Sequence, residues 1–168
     1  LRRSARSPRA RHCDLKLYVV RHAHAGSRSA WTGDDRLRPL SKKGQRQAAA
    51  IAARLSDAGI SRLISSPSVR CVETFRPLAD QAGLVIEADD RLAEGSTGEA
   101  ALALAEELRT IGAPAALCSH GDVIPELLWK LQANGTVFEG PPTWPKGSVW
   151  RVDSNGTHWA AAQLVLPS

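Results

Sequence analysis

The chain contains no methionine, not even at position 1, and only two phenylalanines and one tyrosine. The missing methionine fits a chain cut from a longer protein or a start recorded elsewhere. With so few Phe and Tyr, the core must come from Leu, Val, Ile and Ala, with five tryptophans as its large members. The three cysteines, Cys13, Cys71 and Cys118, are odd in number and widely spaced. That excludes a disulfide framework and a CxxC zinc signature, leaves Cys71 and Cys118 as small buried hydrophobes, and suits a reducing cytoplasm. No window approaches the ~20 apolar residues of a membrane span. Acidic residues are missing from the first 13 positions, which hold five of the 22 basic residues: Arg2, Arg3, Arg6, Arg9 and Arg11. The rest of the chain balances 17 basic against 17 acidic side chains, so the net charge of +5 belongs to this tail. Residues 1–13 therefore read as a basic flexible tail ahead of one domain over 14–168. A nucleic-acid arm is the rival reading of the tail, and nucleic acid is not otherwise an expected partner. Arg2-Arg3 does not begin a twin-arginine signal, because no apolar segment follows directly.

What is present alternates. Leu15–Arg21 is a short apolar run with strand character. A polar loop over 23–40 follows, and Ser41 stands as an N-cap. Ala48, Ile51, Ala52 and Leu55 repeat at helical spacing, and Gly59 closes that helix. Arg62–Ser65 is a second strand. Ser66-Pro67 opens a helix reaching Ala82 and Gly83, which Pro77 is expected to kink or end early. Leu84–Glu87 is a third strand, 89–97 an acidic loop, and Glu99–Thr110 a helix with Ala101, Leu104, Ala105 and Leu108 on one face. Ala113–Cys118 is a fourth strand. Ser119-His120-Gly121-Asp122 then turns into a helix ending near Gln132. Gly140–Pro145 is a stiff loop. Ser148–Val152 and His158–Val165 flank Asn155-Gly156, a hairpin signal. The pattern predicts an α/β fold: a three-layer α/β/α sandwich with a mainly parallel sheet and a C-terminal β-hairpin.

Chemistry-bearing residues collect where strands end, which is where open α/β sheets bind ligands. Arg21-His22 follows the first strand. Ser65-Ser66-Pro67-Ser68-Val69-Arg70 follows the second and puts Arg70 in a helix's first turn. Glu94 follows the third, with Glu99, Asp122 and Asp90 as rival carboxylates, and His120 follows the fourth. Phosphoryl transfer calls for these types. Arginines hold the equatorial oxygens, a neutral imidazole attacks in line, a second imidazole donates, and a carboxylic acid protonates the leaving oxygen. His22 and His24, two residues apart, also share the spacing of a metal site, but the arginines explain more of the pattern, so no metal or cofactor is expected. His24, Arg28, Arg36 and Arg38 are candidate substrate-binding residues around the pocket. The three arginines suit a second phosphate or a nucleotide tail; the rival reading is that Asp34 and Asp35 neutralise them on the loop. Trp144 either covers core or stacks on a base.

These motifs resemble the histidine phosphatase superfamily, the phosphoglycerate-mutase-like enzymes. The matching segments are Arg21-His22-Ala23, Leu40 to Ala48, Ser65 to Thr74 and Ser119-His120-Gly121, in family order across roughly 15–125. The resemblance implies that His22 becomes phosphohistidine, that Arg21, Arg70 and His120 bind the phosphoryl group, and that Glu94 donates the proton. Ala23 stands where many members have Gly. Arg-His-Ala-x-Ala is similar to small bacterial members, including phosphohistidine phosphatases. The 31–40 loop is similar to the phosphatase-like halves joined to MutT-type nudix hydrolases in actinobacteria, which makes fusion or association with such a hydrolase one partner expectation. The nudix box itself is absent. The reading is a metal-independent phosphatase of the cytoplasm acting on phosphomonoesters or protein phosphohistidine. A phosphohydrolase of nucleoside di- or triphosphates is the alternative, and a non-catalytic phospholigand-binding or regulatory module is the other class.

Overall fold

The computed structural model describes residues 15–166, so Cys13 and the Arg-rich segment 1–13 lie outside the described residues. Its centre is one seven-stranded sheet. In chain order the strands are β1 (Lys16–Arg21), β2 (Arg62–Ser65), β3 (Ile86–Ala88), β4 (Ala115–Ser119), β5 (Val137–Glu139), β6 (Val149–Ser154) and β7 (Trp159–Leu166). They lie in the order β3-β2-β4-β1-β6-β7-β5. β3, β2, β4 and β1 run parallel, while β6 is antiparallel to both β1 and β7. The expected α/β sandwich and closing hairpin are both present.

Side chains alternate across the sheet, as a pleated strand requires. Leu17, Val19, Ile64, Ala115, Leu117, Trp150 and Val152 face helices α3 (Gly98–Ile111) and α4 (Val123–Ala133). Tyr18, Val20, Leu63, Ala116, Cys118 and Val149 face α1 (Lys42–Leu55) and α2 (Val69–Ala82). β1, β2 and β4 of the parallel half are therefore apolar on both faces, the signature of a sheet covered on two sides.

Local chemistry sets the helix ends. The Ser41 hydroxyl accepts from the Gly44 N–H at 3.1 Å and caps α1. Ala48, Ile51, Ala52 and Leu55 form its buried stripe. Gly83 ends α2 and Gly112 ends α3, both with positive φ. Pro77 neither ends α2 nor shortens it; the helix runs on to Ala82. Ser68, rather than the Ser66-Pro67 pair, occupies the α2 N-cap position. The structure adds β5, which the sequence pattern did not show, paired in parallel with β7.

The sheet register positions the site. Arg21 is level with Ser119, and Ser65 with Cys118. Just beyond, the His22 N–H donates to the Ser119 carbonyl at 3.0 Å, and the Ser66 N–H to the Cys118 carbonyl at 2.9 Å. His22, His120 and Ser66 thus leave three adjacent strands at the same height.

Candidate active site

The carboxyl ends of β1, β2 and β4 open into a cavity of about 490 Å³. Arg21, His22, Gly26, Arg28, Arg38, Glu94, His120, Gly121, Asp122, Trp144 and Lys146 line it. His22 is on its floor and 5% exposed. Its Nδ1 is 2.8 Å from the Ala23 carbonyl oxygen. A carbonyl only accepts, so Nδ1 carries the hydrogen and the lone pair belongs to Nε2. The Ala23 N–H donates to Thr74 Oγ1 at 3.0 Å, which fastens this segment to α2. Burial is the largest influence on the imidazole and pushes its pKa down to about 3. His120, Arg70 and Arg21 push the same way, against the opposing bond to Ala23. His22 is consequently a neutral base at any ordinary pH.

His120 lies beside it, with ring centroids 5.3 Å apart. His120 Nε2 meets Ser66 Oγ at 2.7 Å, while Nδ1 accepts from Arg70 Nη2 at 3.3 Å. The Ser66 hydroxyl can donate or accept, so it supports either tautomer of His120. When an anion takes over the Arg70 bond, Nδ1 can carry the hydrogen and donate to it.

Arg70 is 1% exposed and reaches the site from the first turn of α2. Its guanidinium gives 2.9 Å to the Asp35 carbonyl and 3.1 Å to Glu94 Oε2. Glu94 Oε1 also accepts from Arg28 at 2.6 Å. Asp35 pairs with Arg28, Arg38 and Arg70. Its bond from Arg38 is the chief cause that holds its carboxyl below the usual range, against some desolvation. Carboxylates therefore surround one wall of arginines.

Arg21 gives Nη1–H to the Trp144 carbonyl at 2.9 Å. The Nε–H donors of Arg21 and Arg70 are buried and bonded to nothing among the described residues. Buried donors of this kind are costly, and an arriving anion could satisfy them. Gly121 is what lets the Arg21 guanidinium lie so close, since a methyl group there would overlap its Cζ and Nη2.

Of the sequence candidates, Arg21, His22, Glu94, His120, Arg28 and Arg38 line the cavity. Arg70 stands directly behind, bonded to His120 and Glu94. Arg38 is buried and spends its donors on Asp35 and the Ala25 carbonyl, which makes it a brace for the loop. His24 and Arg36 do not line the cavity. The His24 ring turns to Ser41 at 2.7 Å, and Arg36 is solvent-exposed with Asp34 at 2.8 Å. Turned this way, His24 does not join His22 and His120 around a common point. Among the described residues no group of three or more His, Cys, Asp or Glu is placed to hold a metal ion. Of the rival carboxylates, Asp122 accepts from the Gly95 N–H at 2.8 Å and so ties down the loop that carries Glu94. Glu99 faces Lys130 instead. Trp144 packs its ring edge-on against Trp129.

The histidine phosphatase family model, branch 1, matches residues 17–111. The chain belongs to the histidine phosphatase superfamily. A curated relative, the 8-oxo-(d)GTP phosphatase of Mycolicibacterium smegmatis, is 34% identical over 154 residues, spanning 90% of this chain and 48% of that protein. The chain spans about half or less of the length of the curated relatives it matches. Among solved structures, the protein histidine phosphatase SixA complexed with tungstate superposes with a TM-score of 0.70 at 21% identity, covering 89% of this chain and 94% of that one. A mycobacterial glucosyl-3-phosphoglycerate phosphatase, Rv2419c, gives 0.68 at 17%, covering 90% and 97%. At these identities the two structures establish the histidine phosphatase fold.

Sequence reasoning missed Lys146, Ser66 as the partner of His120, and the Trp144 carbonyl. Lys146 sits in no motif; only its place just before a predicted strand, after a proline-rich loop, hinted at a site edge. No helix among the described residues is long and apolar enough to cross a membrane.

Proposed function

We propose that the chain is a phosphatase that passes the phosphoryl group of its substrate first to His22 Nε2 and then to water. One observation carries this reading. The Nδ1–H of His22 is committed to the Ala23 carbonyl, so a neutral imidazole presents its lone pair into a cavity walled by arginine. In the first step Nε2 attacks phosphorus, a P–N bond forms and the bond to the leaving oxygen breaks. Arg21, Arg70 and His120 donate to the equatorial oxygens, replacing metal charge with fixed guanidinium and imidazole donors. Glu94 supplies the proton to the leaving oxygen. Arriving phosphate competes with Glu94 for Arg70 Nη2, which frees the carboxyl for that task. In the second step water attacks phosphorus, the P–N bond breaks, orthophosphate leaves and Glu94 recovers its proton.

One reading of the substrate is a phosphomonoester or a phosphohistidine on a protein. A second reading, hydrolysis of a nucleotide phosphoanhydride, is favoured by the M. smegmatis relative, which aligns with 90% of this chain and is named for 8-oxo-(d)GTP. Steady-state assays test the shared claim. Turnover should survive chelator and vanish in His22→Ala. Activity that persists in the variant, or that requires an added divalent cation, contradicts the mechanism.

A further inference from the structure

The cations of the pocket are not equivalent. Arg28, Arg38 and Arg70 each have a carboxylate within salt-bridge distance. Lys146 does not. Among the described residues no ion pair reaches it, and burial followed by four like charges, Arg21, Arg38, Arg70 and Arg28, lowers its pKa. An ammonium that lines a cavity, is flanked by other cations and is paired with no carboxylate gains most when an anion arrives.

The backbone of this lysine is held firmly. Its carbonyl accepts from Gln47 Nε2 at 3.2 Å, and Gln47 Oε1 accepts from the His24 N–H at 2.8 Å. The next residue, Gly147, gives its N–H to the Arg21 and His22 carbonyls at 3.1 and 3.2 Å. Two residues earlier, the Trp144 carbonyl takes Arg21 Nη1. Trp144 and Gly147, on either side of Lys146, are therefore bonded to the two residues on the cavity floor, and the Lys146 side chain lines the same cavity.

We infer that Lys146 selects substrates whose leaving group carries its own negative charge beside the bond that breaks, which makes a phosphoanhydride the favoured class over a phosphomonoester of a neutral alcohol. This rests on the phosphatase reading. Arg70, His120 and Arg21 are sufficient for the phosphoryl group in transfer. A diphosphate or nucleoside polyphosphate brings a second phosphate one bridging oxygen away; with Arg21 engaged on the first phosphate, Lys146 is the remaining cavity cation that no carboxylate pairs among the described residues.

The test compares kcat/KM for inorganic pyrophosphate with that for p-nitrophenyl phosphate. Lys146→Gln should lower the pyrophosphate-to-ester ratio by about tenfold or more, the scale of one charge-assisted hydrogen bond. Lys146→Arg should restore much of it. An unchanged ratio overturns the inference. A binding measurement separates this from the catalytic claim. In the His22→Asn background, calorimetry should show pyrophosphate binding more tightly than orthophosphate, and Lys146→Gln should remove the difference. Equal affinities for the two anions before the lysine is changed would overturn the inference. A wild-type protein that hydrolyses neither compound, nor a phosphohistidine peptide, would defeat the phosphatase reading, while the calorimetry would still decide whether the second anion site exists.

Discussion

At the scale of single residues, the site depends on which hydrogen each ring nitrogen carries. His22 has its tautomer fixed by one carbonyl, and His120 is buffered by a hydroxyl that can turn either way. Glu94 differs in kind, because both its oxygens are engaged by arginines and its side chain is 43% exposed. A proton donor matters in proportion to how poor the leaving group is. Glu94→Gln should therefore lower kcat on an alkyl phosphate by about a hundredfold or more, yet lower it less than tenfold on p-nitrophenyl phosphate. Equal losses on the two esters would assign Glu94 to holding Arg28 and Arg70 in place. His22, Arg21 and His120 were legible in the sequence because each follows an apolar strand directly. His24 misled because alternation along an ideal strand puts it on the His22 face. The chain leaves the sheet after Arg21, and the ring turns to Ser41 instead.

At the scale of elements, α1 positions the site from outside it. Its first turn packs on the backbone of His24 so closely that a methyl group on Gly44 would run into the His24 carbonyl. The same carbonyl accepts from the Ser41 N–H at 3.0 Å. Ser41→Ala should cost about 1 kcal/mol by loss of the cap. Gly44→Ala should cost more and also reduce kcat/KM, because relief of the clash moves the segment that follows His22. Urea denaturation and steady-state kinetics on the two variants check this; a Gly44→Ala enzyme as stable and active as its parent contradicts it. The elements that sequence periodicity found are those with a full buried stripe, such as α1 and α3. β5 escaped because Val137, Phe138 and Glu139 make a three-residue edge strand whose partner, β7, lies beyond an entire loop and strand. Pro77 misled because a proline inside a helix removes one backbone bond, and the buried stripe Phe75, Leu78 and Ala79 carries α2 past it.

At the scale of the whole molecule, the buried neutral histidine makes stability depend on pH. Native His22 takes its proton only near pH 3, whereas an unfolded histidine does so near 6.5. Between those values the unfolded chain holds the extra proton, so stability from this residue is full above pH 6.5 and falls as pH drops toward 3. His22→Asn should flatten the dependence by about one proton, roughly 1.4 kcal/mol per pH unit across that window. Denaturant midpoints from pH 4 to 7 measure it, and parallel profiles for the two proteins would contradict the buried neutral state. Asp35, Asp89 and Glu87, held low by their arginines, add losses at more acid pH in both proteins. The α/β fold and the strand ends that meet at the cavity were legible as alternating patterns; the balance of paired and unpaired charge within the cavity was not, because it depends on a loop near the C-terminal hairpin that carries no motif. The central claim is that phosphoryl transfer passes through His22 Nε2. Acid-shielded rapid quench followed by phosphopeptide mapping tests it most directly. The account predicts one alkali-stable, acid-labile phosphoryl group on His22 during turnover and none in His22→Asn. Turnover with no phosphorylated protein, or with phosphate on another residue, would contradict it.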